Sequence, residues 1–260
     1  MLSDYEMVIH RFPREDITII PIADVHLGSE ECKEDEFVSF VNTIASQKNT
    51  YLVLGGDLID NGTRSGVSNP FRATMPPSVQ KKEMANILKP VADKILCAVS
   101  GNHERRSGKD ADDDPMYDIL CKIDREEVYR ENVCFLKLQF GDVEGSGDRN
   151  PTYMLVVTHG AGGGQLTSGA VLRGERFAMA IDGMDALILG HTHKPYTTQP
   201  GKIFIDPRNN KVSVKPFKVI SMTSWLNWGG YAAQKMLLPP SHCIHTLTLR
   251  GTKKEIVVTM

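Results

Sequence analysis

The sequence predicts an α/β fold, on three observations. Apolar runs of strand length alternate with apolar positions at helical spacing from Ile17 to Ile123. Such alternation implies βαβ units and parallel pairing. Beyond Leu136 the chain changes to short, mostly β segments. Five of the apolar runs also end in polar or metal-liking residues. In open α/β sheets the C-terminal ends of the strands are where ligands bind.

The elements follow in order. Residues 5–12 suit a short edge strand, with His10 read as a surface residue. Asp16 to Asp24 is the first core strand, rich in Ile. Residues 33–48 fit an amphipathic helix, since Phe37, Phe40, Val41 and Ile44 recur at helical spacing. The central strand is 51–57. A polar loop, 61–77, carries Arg64 and Arg72. Ser78 is expected to cap the next helix, whose apolar face is Met84, Ile87, Leu88 and Val91. Pro90 should kink or shorten it. The third strand is 94–100. After Arg105 to Lys109, the acidic run Asp110 to Asp114 reads as a solvated loop whose last residue caps a helix, because Asp114 then Pro115 matches N-cap followed by first turn. Ile119, Leu120 and Ile123 give that helix its buried side. Leu136, Leu138 and Phe140 alternate with polar residues in a half-buried strand, joined by a Gly/Asp-rich turn (141–150) to strand 153–158. Residues 171–181 read as a helix that Gly174 weakens. Short strands follow at 186–189, 202–205, 211–220, 243–250 and 255–260.

The 260 residues contain no repeat and no linker, so a single domain spanning 1–260 is expected. Hydrophobic content of 41% and charged content of 24% suit a soluble globular chain. A net charge of -2 excludes a general attraction to nucleic acid or anionic membrane, and leaves a local basic groove open. The first residues are acidic and lack an apolar core, and no apolar run approaches a membrane span. The five scattered cysteines read as reduced thiols. A cytoplasmic protein is expected, with no membrane association and no partner protein.

The organising stretch is Leu52-Val53-Leu54-Gly55-Gly56-Asp57-Leu58-Ile59-Asp60. A buried strand stops abruptly and presents Asp57, and the glycines admit close approach to the backbone. The other tips are Asp24-Val25-His26, Gly101-Asn102-His103-Glu104, His159-Gly160 and Gly190-His191-Thr192-His193. All five are expected to converge on one site around Asp57. A central carboxylate can bridge two divalent ions held about 3.5–4 Å apart. Mixed His, Asp and Asn donors suit manganese, iron or zinc better than magnesium or calcium. Two such ions activate a water for in-line attack on a phosphoester and clamp its oxygens.

These blocks, in this order, resemble the calcineurin-like metallophosphoesterases, whose pattern is D-x-H, G-D-x-x-D, G-N-H-(D/E), H and G-H-x-H. The resemblance spans residues 16–193. It implies a sandwich of two mixed β-sheets flanked by helices, and two divalent metal ions, manganese being expected with iron or zinc as alternatives. It further implies Asp24, His26, Asp57 and His193 around one metal, and Asp57, Asn102, His159 and His191 around the other. His103 would not be a ligand; it would meet the leaving group or the transferring phosphoryl, with Asp60 pairing with it. Arg105 and Arg106 are either helpers to the phosphoryl or a solvated pair. Gly160 to Gly164 either admits substrate to the backbone or forms a turn.

The substrate is less sharply written. Phosphoprotein phosphatases carry G-D-x-V-D-R-G, and this chain has Asn61 where their phosphate-gripping Arg stands. Asp24-Val25-His26-Leu27-Gly28 resembles the form found in double-strand-break repair nucleases. Those enzymes carry a further DNA-capping domain; the second sheet is expected to need most of the 67 residues after His193 (260 minus 193), so a stand-alone catalytic domain is expected. Trp225 and Trp228 either stack on unpaired bases or pack under a loop. The expected activity is a phosphodiesterase acting on nucleic acid or nucleotides, with single-stranded nucleic acid as the candidate partner. The alternatives are a phosphomonoesterase and a non-catalytic metal-binding scaffold.

Overall fold

The computed structural model describes residues 4–63, 71–141, 150–162, 166–239 and 241–260. Arg64, most of the 141–150 turn, and Gly163 and Gly164 lie outside them. In chain order the elements begin with β1 (Val8–Phe12), β2 (Ile17–Ile22), α1 (Glu34–Ser46), β3 (Thr50–Leu54), α2 (Pro77–Leu88) and β4 (Ile95–Val99). Then come α3 (Glu104–Ala111), α4 (Pro115–Cys121), β5 (Tyr129–Arg130), β6 (Val133–Phe140), β7 (Thr152–Thr158), α5 (Thr167–Met179), β8 (Ala186–Leu189) and β9 (Tyr196–Thr198). The last are β10 (Gly201–Asp206), β11 (Lys211–Pro216), β12 (Lys218–Ser221), α6 (Gly230–Gln234), β13 (Thr246–Leu249) and β14 (Ile256–Thr259).

Among the described residues, two six-stranded mixed sheets form the body, and β10 with β11 forms a separate hairpin. One sheet runs β14-β13-β2-β3-β4-β5, with β2 to β5 parallel. The other runs β1-β6-β7-β8-β12-β9, with β7, β8 and β12 parallel. This is the sandwich of mixed sheets with flanking helices. The strands β2, β3 and β4 read as unbroken apolar runs because both their faces are buried, as parallel strands require. Strand β6 alternates strictly between buried and half-buried residues, as its sequence predicts. One large apolar cluster joins the two sheets to α1, α2 and α4. A smaller one, built on Ala170, Leu187, Leu189 and Val219, lies under α5.

Several expectations change. Ser78 does not cap α2; the cap position is Pro76 and the helix opens on Pro77, whose missing N–H costs nothing in a first turn. Pro90 ends the α-helix at Leu88, and a 3-10 turn continues to Lys94. Asp114 caps α4 as expected, its carboxylate accepting from the Tyr117 N–H at 3.1 Å. The acidic loop is shorter than expected, Asp112 to Asp114, and the stretch before it is helical. It forms α3, because Glu104 is anchored by backbone donors and starts a helical turn there. The single strand expected over 211–220 is two strands in different sheets, parted at Phe217 after Pro216. His10 is partly buried, and its Nε2 lies 2.8 Å from the Leu96 carbonyl. Helix α5 starts earlier than expected and tolerates Gly174, where a Cβ would come within 2.5 Å of the Tyr196 hydroxyl.

Candidate metal centre

The five tips come from both sheets. Asp24 and His26 follow β2, Asp57 follows β3, and Asn102 with His103 follows β4. His159 follows β7, and His191 with His193 follows β8. The tips after β2 and β3 stay laced beyond the strands: the Asp24 N–H donates to Gly56 O and the His26 N–H to Asp57 O, each at 3.0 Å. The chain then turns sharply. Asp24, His26, Asp57, Asn61, His191 and His193 all have positive φ, between 44° and 69°. Non-glycine residues rarely take this conformation, which costs on the order of 1–3 kcal/mol each and persists where surrounding structure enforces it. Here the turns at Asp24, His26, Asp57, His191 and His193 aim those side chains into one pocket, while Asn61 turns towards α3. Gly56 and Gly101 make that packing feasible. A Cβ on Gly56 would lie 2.3 Å from the Gly101 nitrogen, and one on Gly101 would lie 2.0 Å from Asp57 Oδ1.

The side chains converge as two groups, with Asp57 in the second and reaching towards the first. The donor atoms of Asp24, His26 and His193 lie within 4.8 Å of one another, as do those of Asp57, His159 and His191. His193 Nε2 is 3.2 Å from Asp24 Oδ1 and 3.3 Å from His26 Nε2. On the other side, Asn102 Oδ1 is 3.0 Å from His159 Nε2 and 2.7 Å from His191 Nδ1. Asp57 Oδ2 stands between the groups, 3.2 Å from His159 Nε2 and 3.9 Å from His26 Nε2. Its other oxygen accepts the His103 backbone N–H at 2.8 Å. Two imidazole pairs facing each other around buried carboxylates form a converging donor shell, and they fit two divalent cations. The backbone fixes the tautomer of His159. Its Nδ1 lies 2.8 Å from the Gly55 carbonyl, so that nitrogen carries the proton and leaves Nε2 free to ligate.

The electrostatics reflect the crowding. Burial opposes the charge on Asp57, yet the imidazoles of His103, His159 and His26 outweigh it and hold the carboxyl well below its ordinary range. Burial likewise opposes protonation of His159, but Asp57 and Asp24 raise its pKa to about 9. Burial and the neighbouring imidazole of His103 push His26 well down. A divalent ion would take the place of the protons these groups compete for.

His103 adjoins these groups: with His26 and Asp60 it forms a third set of donors within 4.8 Å, its Nδ1 lies 3.3 Å from His26 Nδ1, and its Nε2 lies 3.9 Å from Asp57 Oδ2. Its Nδ1 is 2.7 Å from the Asp60 carbonyl and 3.3 Å from Asp60 Oδ1. Arg106 Nη2 donates to its Nε2 at 2.8 Å, while Nη1 donates to Asp60 O. Burial disfavours charge on this ring, but Asp57 and Asp60 raise its pKa, with Arg106 opposing them. The structure therefore brings Arg106, on the first turn of α3, to the imidazole. Arg105 donates to the Ser100 and Glu131 carbonyls at 2.7 and 3.5 Å, holding α3 to the sheet edge. Asn61 is fully buried and points away from the pocket, its Nδ2 donating to His103 O and Ser107 Oγ.

Two residues escaped the sequence reading. Glu104 is fully buried, and its carboxylate accepts the N–H groups of Asp57, Leu58, Ile59 and Gly101 at 2.7–3.3 Å. It ties the β3 and β4 tips together. Burial and Asp57 raise its pKa, against the pull of those donors. Its place as the last member of the Gly101-Asn102-His103-Glu104 block was a signal. Gln80 is also fully buried; its Oε1 accepts the Asn61 N–H and its Nε2 donates to Met75 O. It stands four residues before Met84, on the helix face that the apolar spacing marks as buried.

Fold and site together present, at the strand tips, clusters of donors that could hold divalent ions. A family model for calcineurin-like phosphoesterases matches residues 17–195, more than half of the chain, and the chain belongs to that family of metal-dependent phosphoester hydrolases. A conserved protein of Streptococcus pneumoniae TIGR4, described as a predicted phosphoesterase, is similar in structure at 12% identity. The match covers 94% of this chain and 88% of that one, with a TM-score of 0.37. The NAD nucleotidase of Haemophilus influenzae is similar at 12% identity, over 94% of this chain and 49% of that one, with a TM-score of 0.41. No curated protein gives a significant match. Among the described residues no helix is long and apolar enough to cross a membrane.

Proposed function

We propose that the chain is a dinuclear-metal phosphodiesterase acting on nucleic acid or nucleotides. Asp24, His26, Asp57 and His193 would hold one ion, and Asp57, Asn102, His159 and His191 the other. Manganese is the metal of choice for these donors, with iron and zinc as alternatives. Such ions, when bound, supply Lewis acidity to the phosphoryl oxygens and activate a water. The protein's own groups do the rest. Asp60 orients His103 through Nδ1, so that Nε2 is the atom offered to the leaving oxygen. Arg106 occupies Nε2 in the resting chain. An anionic phosphoester draws the guanidinium to itself, which frees Nε2 and places a cation beside the developing charge.

The observation that carries the diester reading is Asn61. The position that holds a phosphate-gripping Arg in phosphoprotein phosphatases is here a buried strut bonded to α3. A monoester dianion gains most from such a grip, so its absence favours esters with one charge on the reacting phosphate. Bis-nitrophenyl phosphate should therefore be hydrolysed more efficiently than mononitrophenyl phosphate in manganese. Single-stranded DNA or RNA should be degraded, with binding that weakens in salt by a slope of about -0.7 per contacted phosphate. A clear monoester preference with intact oligonucleotides would replace this reading with a phosphomonoesterase. A metal-loaded protein inert on every phosphoester would leave a binding scaffold.

A further inference from the structure

The hairpin β10–β11 has no role in the catalytic reading, and its surface is unlike the rest of the molecule. Its register pairs Ile203 with Val214 and Ile205 with Val212. Alternation puts these four β-branched residues on one face. They are 74%, 68%, 68% and 72% exposed in that order. The opposite face carries Lys202, Phe204, Asp206, Lys211, Ser213 and Lys215, and Lys215 Nζ lies 3.1 Å from the Phe204 ring centroid. Among the described residues the hairpin pairs with neither sheet. A two-stranded ribbon is marginal in water by itself and is stabilised by covering an apolar face.

We propose that a second copy of this chain covers that face, in a two-fold dimer in which the hairpins pack apolar face to apolar face. Charge decides between occupants. Nucleic acid and anionic lipid both need cations on the contacting side, and here the lysines stand on the other face of the ribbon. The four-residue face is uncharged, so it meets its own copy without like-charge repulsion, as an isologous contact requires. Size decides next. Covering the four side chains removes on the order of 500 Å² per copy, at the upper end of what monomers leave exposed. Two such faces packed together bury on the order of 1,000 Å² in total, the lower bound of a specific interface.

Sedimentation equilibrium of the full chain at tens of micromolar tests this. The wild-type chain should sediment as a dimer. Ile205→Thr with Val212→Thr keeps strand propensity and should raise the dimer dissociation constant by about tenfold or more. Ile205→Glu with Val212→Glu should give a monomer. Both variants should keep their far-UV circular dichroism and their hydrolysis of bis-nitrophenyl phosphate, since the hairpin contributes nothing to the metal centre. A wild-type chain that is monomeric throughout overturns the proposal, as does one whose dimer is unchanged by both pairs of substitutions. A monomer that instead floats with anionic vesicles assigns the face to a lipid surface and overturns it equally.

Discussion

At the residue scale, Asp57 and Glu104 divide the work of one buried pocket. Asp57 supplies the oxygen between two imidazole groups, and Glu104 holds the backbone that carries Asp57. Asp57→Asn should abolish hydrolysis more completely than loss of any other donor, as read by metal content and turnover together. Glu104→Gln leaves one amide N–H facing backbone N–H donors. A buried donor left unpaired costs about 1–3 kcal/mol, so urea denaturation should show a loss of that size, with weaker metal binding. His103→Ala should lower turnover by about 10²–10⁴-fold with both metals retained, and by less on a substrate with a good leaving group. Loss of a metal in that variant would make His103 a ligand, a role its spacing to His26 and Asp60 also permits.

At the element scale, the two tryptophans separate. Trp225 is buried against Phe37 and Phe40 of α1 and edge-on to His242, with ring centroids 4.7–5.1 Å away. It belongs to the core, and Trp225→Ala should cost about 3–5 kcal/mol of stability by thermal or urea unfolding. Trp228 is half exposed, and its indole donates to Leu237 O. Trp228→Ala should leave stability nearly unchanged, and a fall in affinity for single-stranded oligonucleotides would show that it stacks on bases. Short motifs predicted the strand tips and the α4 cap well, because the sequence there states backbone geometry directly. Helix α3 was not visible, since its polar residues show no apolar stripe and its start depends on Glu104 reaching donors 45–47 residues away.

At the scale of the whole molecule, metal and pH act on the same balance. Chelation should abolish hydrolysis and lower the unfolding temperature, and manganese should restore both, because a ligand bound only by the folded chain stabilises it. Outside the site, burial lowers the pKa of His245. It also lowers that of His10, where the bond to Leu96 opposes it. The folded values lie below the unfolded one, so the stability these neutral rings contribute is complete above the unfolded pKa of about 6.5 and is lost as pH falls towards the folded values. Among the described residues neither ring nitrogen of His245 has a hydrogen-bond partner. His245→Phe should therefore flatten the decline in stability between about pH 7 and pH 5 relative to wild type. An unchanged slope would place the acid sensitivity elsewhere.

By itself the sequence determined the family, the α/β class and which strand ends bear donor side chains, because apolar periodicity and five short motifs are local properties of the chain. Only the tertiary structure decided how those ends are joined. The left-handed turns at Asp24, His26, Asp57, His191 and His193 depend on bonds between tips of different strands. The choice of Arg106 over Arg105 beside His103 depends on the direction in which α3 leaves β4. The fate of residues 211–220, split between a free hairpin and a sheet, depends on which strands were available to pair. Each is set by contacts between residues far apart in sequence, which no local pattern encodes.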